Sequence, residues 1–181
     1  MTAATAQDRD TRAADVGMWL FIASLVMFYG ALYSGYVLLR AGSDTWAAPW
    51  TAGEVWHRTW LVGAAAMCVS AHRKNTAPVR RLTFLHVSAF LGGAFVIRGV
   101  STAAGLAGAG HAPSSSVAAA SWFVLTGVHA VLVLGGAIVT GWIALGVPKH
   151  TRHDLHLQLI ERYWWLMVVF WSSIVVGFYV V

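Results

Sequence analysis

The chain has 181 residues, 58% of them hydrophobic and 10% charged, with a mean hydropathy of +0.65. A soluble domain carries about a quarter charged residues, so a water-soluble fold is excluded. Intrinsic disorder and a disulfide scaffold are excluded too, because long apolar runs fill the chain and Cys68 is its single cysteine. What remains is an integral membrane protein. At about 20 apolar residues per crossing, this length holds at most five or six spans. The ten tryptophans suit bilayer interfaces. The net charge of +5 would suit a nucleic acid if the basic residues formed one stripe. They lie instead in short segments between apolar runs, so no nucleic-acid partner is expected and they are read as topology signals.

In chain order, residues 1–15 form a polar segment containing Asp8, Arg9, Asp10, Arg12 and Asp15. Residues 16–39 are uncharged, about 36 Å of helix, too long for a signal-peptide core and therefore a retained anchor. Arg40 ends this span, and Trp46 and Trp50 follow in a loop at the interface. The second span, 54–71, is weak because His57 and Arg58 sit in its first turns; Arg58 is expected to snorkel to the headgroups. A basic hinge over 72–81 leads to a third span, 82–104, with Arg98 near its far end. A small-residue loop precedes the fourth span, 121–146. A polar connector, 148–162, leads to the fifth, 163–181. The fold class expected is all-α, a polytopic bundle of five transmembrane helices.

With five spans, Arg9, Arg12, Arg73, Lys74, Arg80, Arg81, Lys149, Arg152 and Arg162 share one side. Arg40, Arg58 and Arg98 fall towards the other, nine against three of the twelve Lys and Arg. The positive-inside rule then places the N-terminus in the cytoplasm and the C-terminus outside. Small residues four apart, Ala31 and Gly35, Ser88 and Gly92, Gly136 and Thr140, Ala137 and Gly141, read as surfaces where helix backbones approach closely.

The histidines are the first candidates for chemistry. His86 and His129 lie within spans that enter from opposite sides, and their depths differ by roughly 10 Å, too far to clamp one haem iron. His150, His153 and His156, with Asp154, have the donors for zinc or copper. On a helix, residues at i, i+3 and i+6 drift by about a sixth of a turn at each step. No cysteine joins them, so the stretch reads as a solvated basic loop meeting headgroups or a partner subunit. Arg98 is the charge of most interest, read as snorkelling or headgroup binding. Glu161 is expected to pair with Arg162 or a partner's cation, or to be hydrated. No P-loop, G-x-S-x-G, H-E-x-x-H or C-x-x-C occurs, and no catalytic, metal-ligating or cofactor-binding residue is assigned.

The segment Gly17-Met18-Trp19-Leu20-Phe21-Ile22-Ala23-Ser24, followed by Met27-Phe28-Tyr29-Gly30-Ala31, resembles the first span of the five-helix form of subunit III of haem–copper oxidases. That family reads G-x-x-L-F-I-x-S-E-x-M-F-F there. Leu125-Thr126-Gly127-Val128-His129 resembles its T-G-x-H-G-x-H, and Tyr163-Trp164 with Trp171 downstream resembles its Y-W-H-F-V-D-x-V-W. The departures all replace polar groups by apolar ones: Leu25 for glutamate, Leu132 for the second histidine, Trp165 and Val168 for the last histidine and aspartate.

The resemblance implies an accessory subunit of a cytochrome c oxidase-type respiratory complex in a bacterial inner membrane. Such a subunit holds no cofactor; haem and copper belong to the catalytic subunit I against which it packs, and it binds phospholipid. Arg98, His129, Glu161, Tyr163 and Trp164 are the residues expected at the lipid or subunit interface. A subunit III-like protein associated with nitric oxide reductase shares the scaffold. A small membrane transporter and a lipid-modifying enzyme are the readings from other classes.

Overall fold

The computed structural model describes residues 3–43, 46, 52–71, 78–146 and 153–179, with the side chains of 3–10, 52, 53, 78, 153 and 154 outside the description. The described residues form five helices: α1 (Ala3–Ala41), α2 (Ala52–Ala71), α3 (Pro78–Gly108), α4 (Val117–Ala144) and α5 (His153–Tyr179). The fold is all-helical, as the composition requires. Four helices are long and apolar enough to cross a bilayer, over Thr11–Ala41, Val79–Gly108, Val117–Ala144 and Leu155–Tyr179, which marks a multi-pass membrane protein. In α2, Glu54, His57 and Arg58 dilute a helix of only 20 residues.

The two largest departures from the expected boundaries are the starts of α1 and α5; α3 and α4 also begin earlier than expected. α1 runs unbroken through the polar segment 1–15 from Ala3, because no glycine or proline interrupts it before Gly17 and alanine is the best helix former. The expected connector 148–162 is helical from His153 onward. Leu157 and Ile160 within it are buried, and their spacing continues the core stripe of the last span. α4 begins at a defined cap: Ser116 is extended, and its hydroxyl accepts from the Ala119 N–H at 3.1 Å. It ends before Gly146, whose φ of 71° is the left-handed stop that glycine adopts without strain.

α2, α3, α4 and α5 pack as a closed ring, each against the next and α5 back onto α2, while α1 lies outside against α5 and α4. Successive helices alternate in direction. The start of α2 and the end of α3 therefore meet, with Glu54 bonded to Arg98 and Thr102. The ring core is apolar and aromatic, with Leu85, Phe95, Val133, Trp164 and Met167 all fully buried. Hydroxyls facing outward close onto their own helix: Ser24 donates to the Leu20 carbonyl at 2.9 Å, Ser34 to Gly30 at 2.8 Å and Ser172 to Val168 at 2.8 Å. In hydrocarbon no water would take these protons, so the i−4 carbonyl does.

α1 is fastened to α5 along its length. Tyr29 stacks on Phe170 with ring centroids 4.2 Å apart and donates to the Phe170 carbonyl at 3.3 Å. Near one end Tyr36 and Arg40 both donate to the Gly177 carbonyl. Near the other, Arg162 pairs with Asp15.

Two of the small-residue pairs are tight contacts. A Cβ on Gly92 would stand 2.7 Å from the Trp164 ring and 2.9 Å from the Ala137 Cβ, and one on Gly136 would stand 2.6 Å from the Tyr163 ring. Gly35 and Gly93 meet nothing. Overpacking a filled core costs about 1–3 kcal/mol. Gly92→Val is therefore expected to lower the thermal midpoint of the detergent-purified protein clearly, and Gly93→Ala to leave it near that of the unsubstituted chain; circular dichroism at 222 nm reads both.

Candidate functional site

Four buried polar residues, Arg58, Ser121, Thr126 and His129, lie towards the end where α2 and α4 begin and α3 and α5 finish. Arg58 of α2 lies there with 2% of its surface exposed. Its expected snorkelling is overturned: the side chain turns inward, because α2 presents this face to α3 and α5. The guanidinium carbon stands 4.4 Å from the ring centroid of Phe95 and 4.4 Å from that of Trp171, held between two π faces that favour a cation. Gly99 covers it from α3, and a Cβ there would reach Nη2 at 2.9 Å. Among the described residues, Nε and Nη2 of Arg58 have no hydrogen-bond partner.

Trp171 is itself fixed, its Nε1 donating to Thr59 Oγ1 at 2.8 Å while that hydroxyl donates to the Val55 carbonyl at 2.8 Å. Beside it, His129 is fully buried, with ring centroids 5.3 Å from Phe95 and 5.5 Å from Trp171. Its Nε2 lies 3.0 Å from the Met167 carbonyl. A carbonyl only accepts, so Nε2 carries a proton and donates it to Met167. Nδ1 has no partner.

Arg98 is partly exposed near the end of α3. It pairs with Glu54 across α2 and α3, Nε donating to Oε2 at 3.0 Å and Nη2 to Oε1. Thr102 donates to the same Oε2 at 3.0 Å. The Arg98 and Glu54 side chains are 47% and 31% exposed, so this pair contributes at most about 1 kcal/mol. A cavity of about 10 Å³ adjoins the cluster, lined by Glu54, Arg58, Thr102, Trp122, Trp171 and Tyr179 among others.

Tyr163 and Trp164 sit together in the α4–α5 seam, away from Arg98. The Tyr163 hydroxyl donates to the Leu132 carbonyl at 2.6 Å, and Trp164 Nε1 donates to Thr140 Oγ1 at 2.9 Å. Glu161 is buried at 9% exposure, and the neighbouring Arg162 donates to Asp15. The structure thus separates the five expected interface residues into the Arg98–Glu54 pair, the seam containing His129, Tyr163 and Trp164, and Glu161. His86 is exposed, its Nδ1 2.8 Å from the Leu82 carbonyl, and faces away from His129. His150 and the side chains of His153 and Asp154 lie outside the described residues; His156 lines an apolar groove between α1, α4 and α5. Among the described residues no three His, Cys, Asp or Glu side chains converge as a metal site.

Sequence reasoning missed Arg58, Phe95, Gly99 and Glu54. Two signals were present: Trp164, Met167, Trp171, Ile174 and Phe178 repeat at three and four residues, which puts them on one helix face. Glu54 stands four residues before Arg58, the spacing of a helical neighbour.

Neither the family models nor the curated proteins compared with this chain give a match. The seam geometry yields its own expectation. Thr140→Val removes the acceptor of the buried Trp164 N–H and is expected to cost about 1–3 kcal/mol, read as a lower midpoint in denaturation from detergent. Thr140→Ser, which keeps the hydroxyl, should stay close to the unsubstituted chain.

Proposed function

We propose that this chain is an accessory subunit of the subunit III type in a respiratory haem–copper oxidase. The observation that carries the reading is the fate of the residues behind the resemblance. His129, Tyr163 and Trp164 are buried in the α4–α5 seam, each hydrogen-bonded to a backbone carbonyl or to Thr140. Groups used in this way set helix spacing. Where the family has polar groups, Leu25, Leu132 and Val168 pack instead as partly buried hydrophobics against the core, and Trp165 donates to Ser70 at 3.0 Å. An intramembrane carboxylate is costly and kept for a purpose; its replacement by leucine or valine fits a subunit that retains the scaffold.

In this reading all five helices cross a bacterial inner membrane, with the N-terminus in the cytoplasm and the C-terminus outside. α2 crosses inside the ring, its 20 residues spanning about 30 Å, with the charge of Arg58 turned away from lipid. The chain holds no cofactor; haem and copper reside in the catalytic subunit I, its principal partner. Phospholipid covers the remaining apolar surface.

The test is a mild-detergent purification of the tagged chain from its native membrane. A reduced-minus-oxidised spectrum and a protein inventory are taken on the eluate. The expected result is haem absorption together with an oxidase catalytic subunit. A nitric oxide reductase subunit in its place would keep the scaffold role and change the enzyme. A colourless, solitary five-helix protein would overturn the reading, and substrate flux in proteoliposomes would then support a transporter.

A further inference from the structure

A groove of about 880 Å³ runs along the outward side of the ring between α2 and α3. Trp60, Phe90 and Ile97 stand out along it, 75%, 74% and 72% exposed, while Ala64, Gly93 and Ala94 leave the depression between them. A Cβ added to Gly93 would meet nothing, so the groove is open there. Its lining is sorted by polarity. His57, Arg98 and Ser101 stand at the end where α2 begins and α3 finishes, and every lining residue further along is apolar or aromatic. From Ser101 back to Phe90, α3 rises about 17 Å, close to the hydrocarbon depth of one leaflet. A polar end at the interface and an apolar run towards mid-bilayer match one amphiphile lying along the helices.

The polar end is also cationic. Two arginines, Arg58 and Arg98, share the carboxylate of Glu54, which engages Nε and Nη2 of Arg98 and leaves its Nη1 out of the pair. Arg58 lies directly behind, since a Cβ on Gly99, the residue after Arg98, would stand 2.9 Å from its Nη2. Its Nε and Nη2 are closed to contact. A buried charge is nevertheless screened less than an exposed one, so its field adds to that of Arg98 at the groove. Basic pockets between membrane helices recognise anionic headgroups, whereas the ammonium of a zwitterionic headgroup would meet the same two guanidiniums. A protein helix seated here would strip water from the Arg98–Glu54 pair, 47% and 31% exposed, at a desolvation cost. A lipid headgroup leaves that pair wet.

We propose that the α2–α3 groove binds one anionic phospholipid, its phosphate at Arg98, His57 and Ser101 and an acyl chain along Gly93 between Trp60 and Phe90. The site narrows the lipid contact proposed above to one groove and one headgroup charge. It rests on the multi-pass placement alone, so a chain that copurifies with no haem subunit would still carry it.

Native mass spectrometry of the full-length protein in a neutral detergent tests this, with phosphatidylglycerol or phosphatidylcholine of matched acyl chains titrated in. One phosphatidylglycerol per chain is expected to stay bound, at a half-saturating concentration at least tenfold below that of phosphatidylcholine. Gly93→Leu, which fills open space, should weaken its retention at least tenfold, while Gly30→Leu, equally unobstructed on α1, should leave it unchanged. Arg98→Gln should remove the preference for the anionic headgroup, and Arg98→Lys should keep part of it. Should Arg98→Gln not fold, Gly93→Leu and the unsubstituted chain still decide. A photoreactive phenylalanine analogue in place of Phe90 should give phospholipid adducts in the native membrane. Equal retention of the two lipids, undiminished retention in Gly93→Leu, or adducts chiefly to another polypeptide, a second copy included, would each overturn the proposal.

Discussion

One side chain sets the spacing of the bundle. Trp164 is fully buried where α3, α4 and α5 meet, in a notch made by Gly92 and Ala137, and it is held there by the bond from its indole N–H to Thr140. An indole so placed lets α3 and α5 approach only where glycine allows. Seven residues on, about two helical turns, Trp171 stands on the same face of α5. The notch that fixes Trp164 therefore also fixes the ring that covers Arg58. Phe178, a further seven along, closes the same face and packs on Tyr36 with centroids 4.5 Å apart. Through it the α5 stripe reaches α1.

That geometry explains how an arginine is kept inside an apolar ring. A guanidinium between two aromatic faces gains about 0.5–2 kcal/mol at each, and its hydrocarbon stem packs like any apolar side chain. The fixed Trp171, bonded to Thr59 one residue beyond Arg58 in α2, ties the clamp back to the helix that carries the charge. Glu54 does not complete the arrangement, because Arg98 holds both of its oxygens. Two arginines face one carboxylate, and the exposed one has it.

This is also where the sequence was least legible. Composition and run length reveal helices and their approximate limits, because the length of an apolar run is a property of the chain alone. Which face of a helix points inward is settled by its neighbours. Arg58 and Arg98 look alike in sequence, each near the end of an apolar segment, yet the rotation of α2 buries one and the edge of α3 exposes the other. The start of α5 was obscured for a related reason. Polar residues such as Gln158 and Arg162 hide the buried Leu157 and Ile160 in a count of polarity, whereas their periodicity reveals them. The motif residues His129, Tyr163 and Trp164 were recognisable, but their common seam was not, since α4 and α5 are brought together only by the fold.

The outer helix follows a different logic from the ring. Leu20, Met27 and Leu38 of α1 are 65%, 76% and 74% exposed, an arrangement that would drive aggregation in water and that lipid tolerates at no cost. Exposed leucine in a bilayer is as well solvated as leucine in a helix interface. Association of this face with another helix must therefore come from close packing and from the polar ends of α1, not from apolar area. Those ends are already committed: Asp15 to Arg162, and Tyr36 and Arg40 to Gly177. α1 is thus fastened to α5 at Asp15 and at Tyr36 and Arg40 while the stretch between presents an apolar surface, so the shape that surface offers is decided by how α5 holds it.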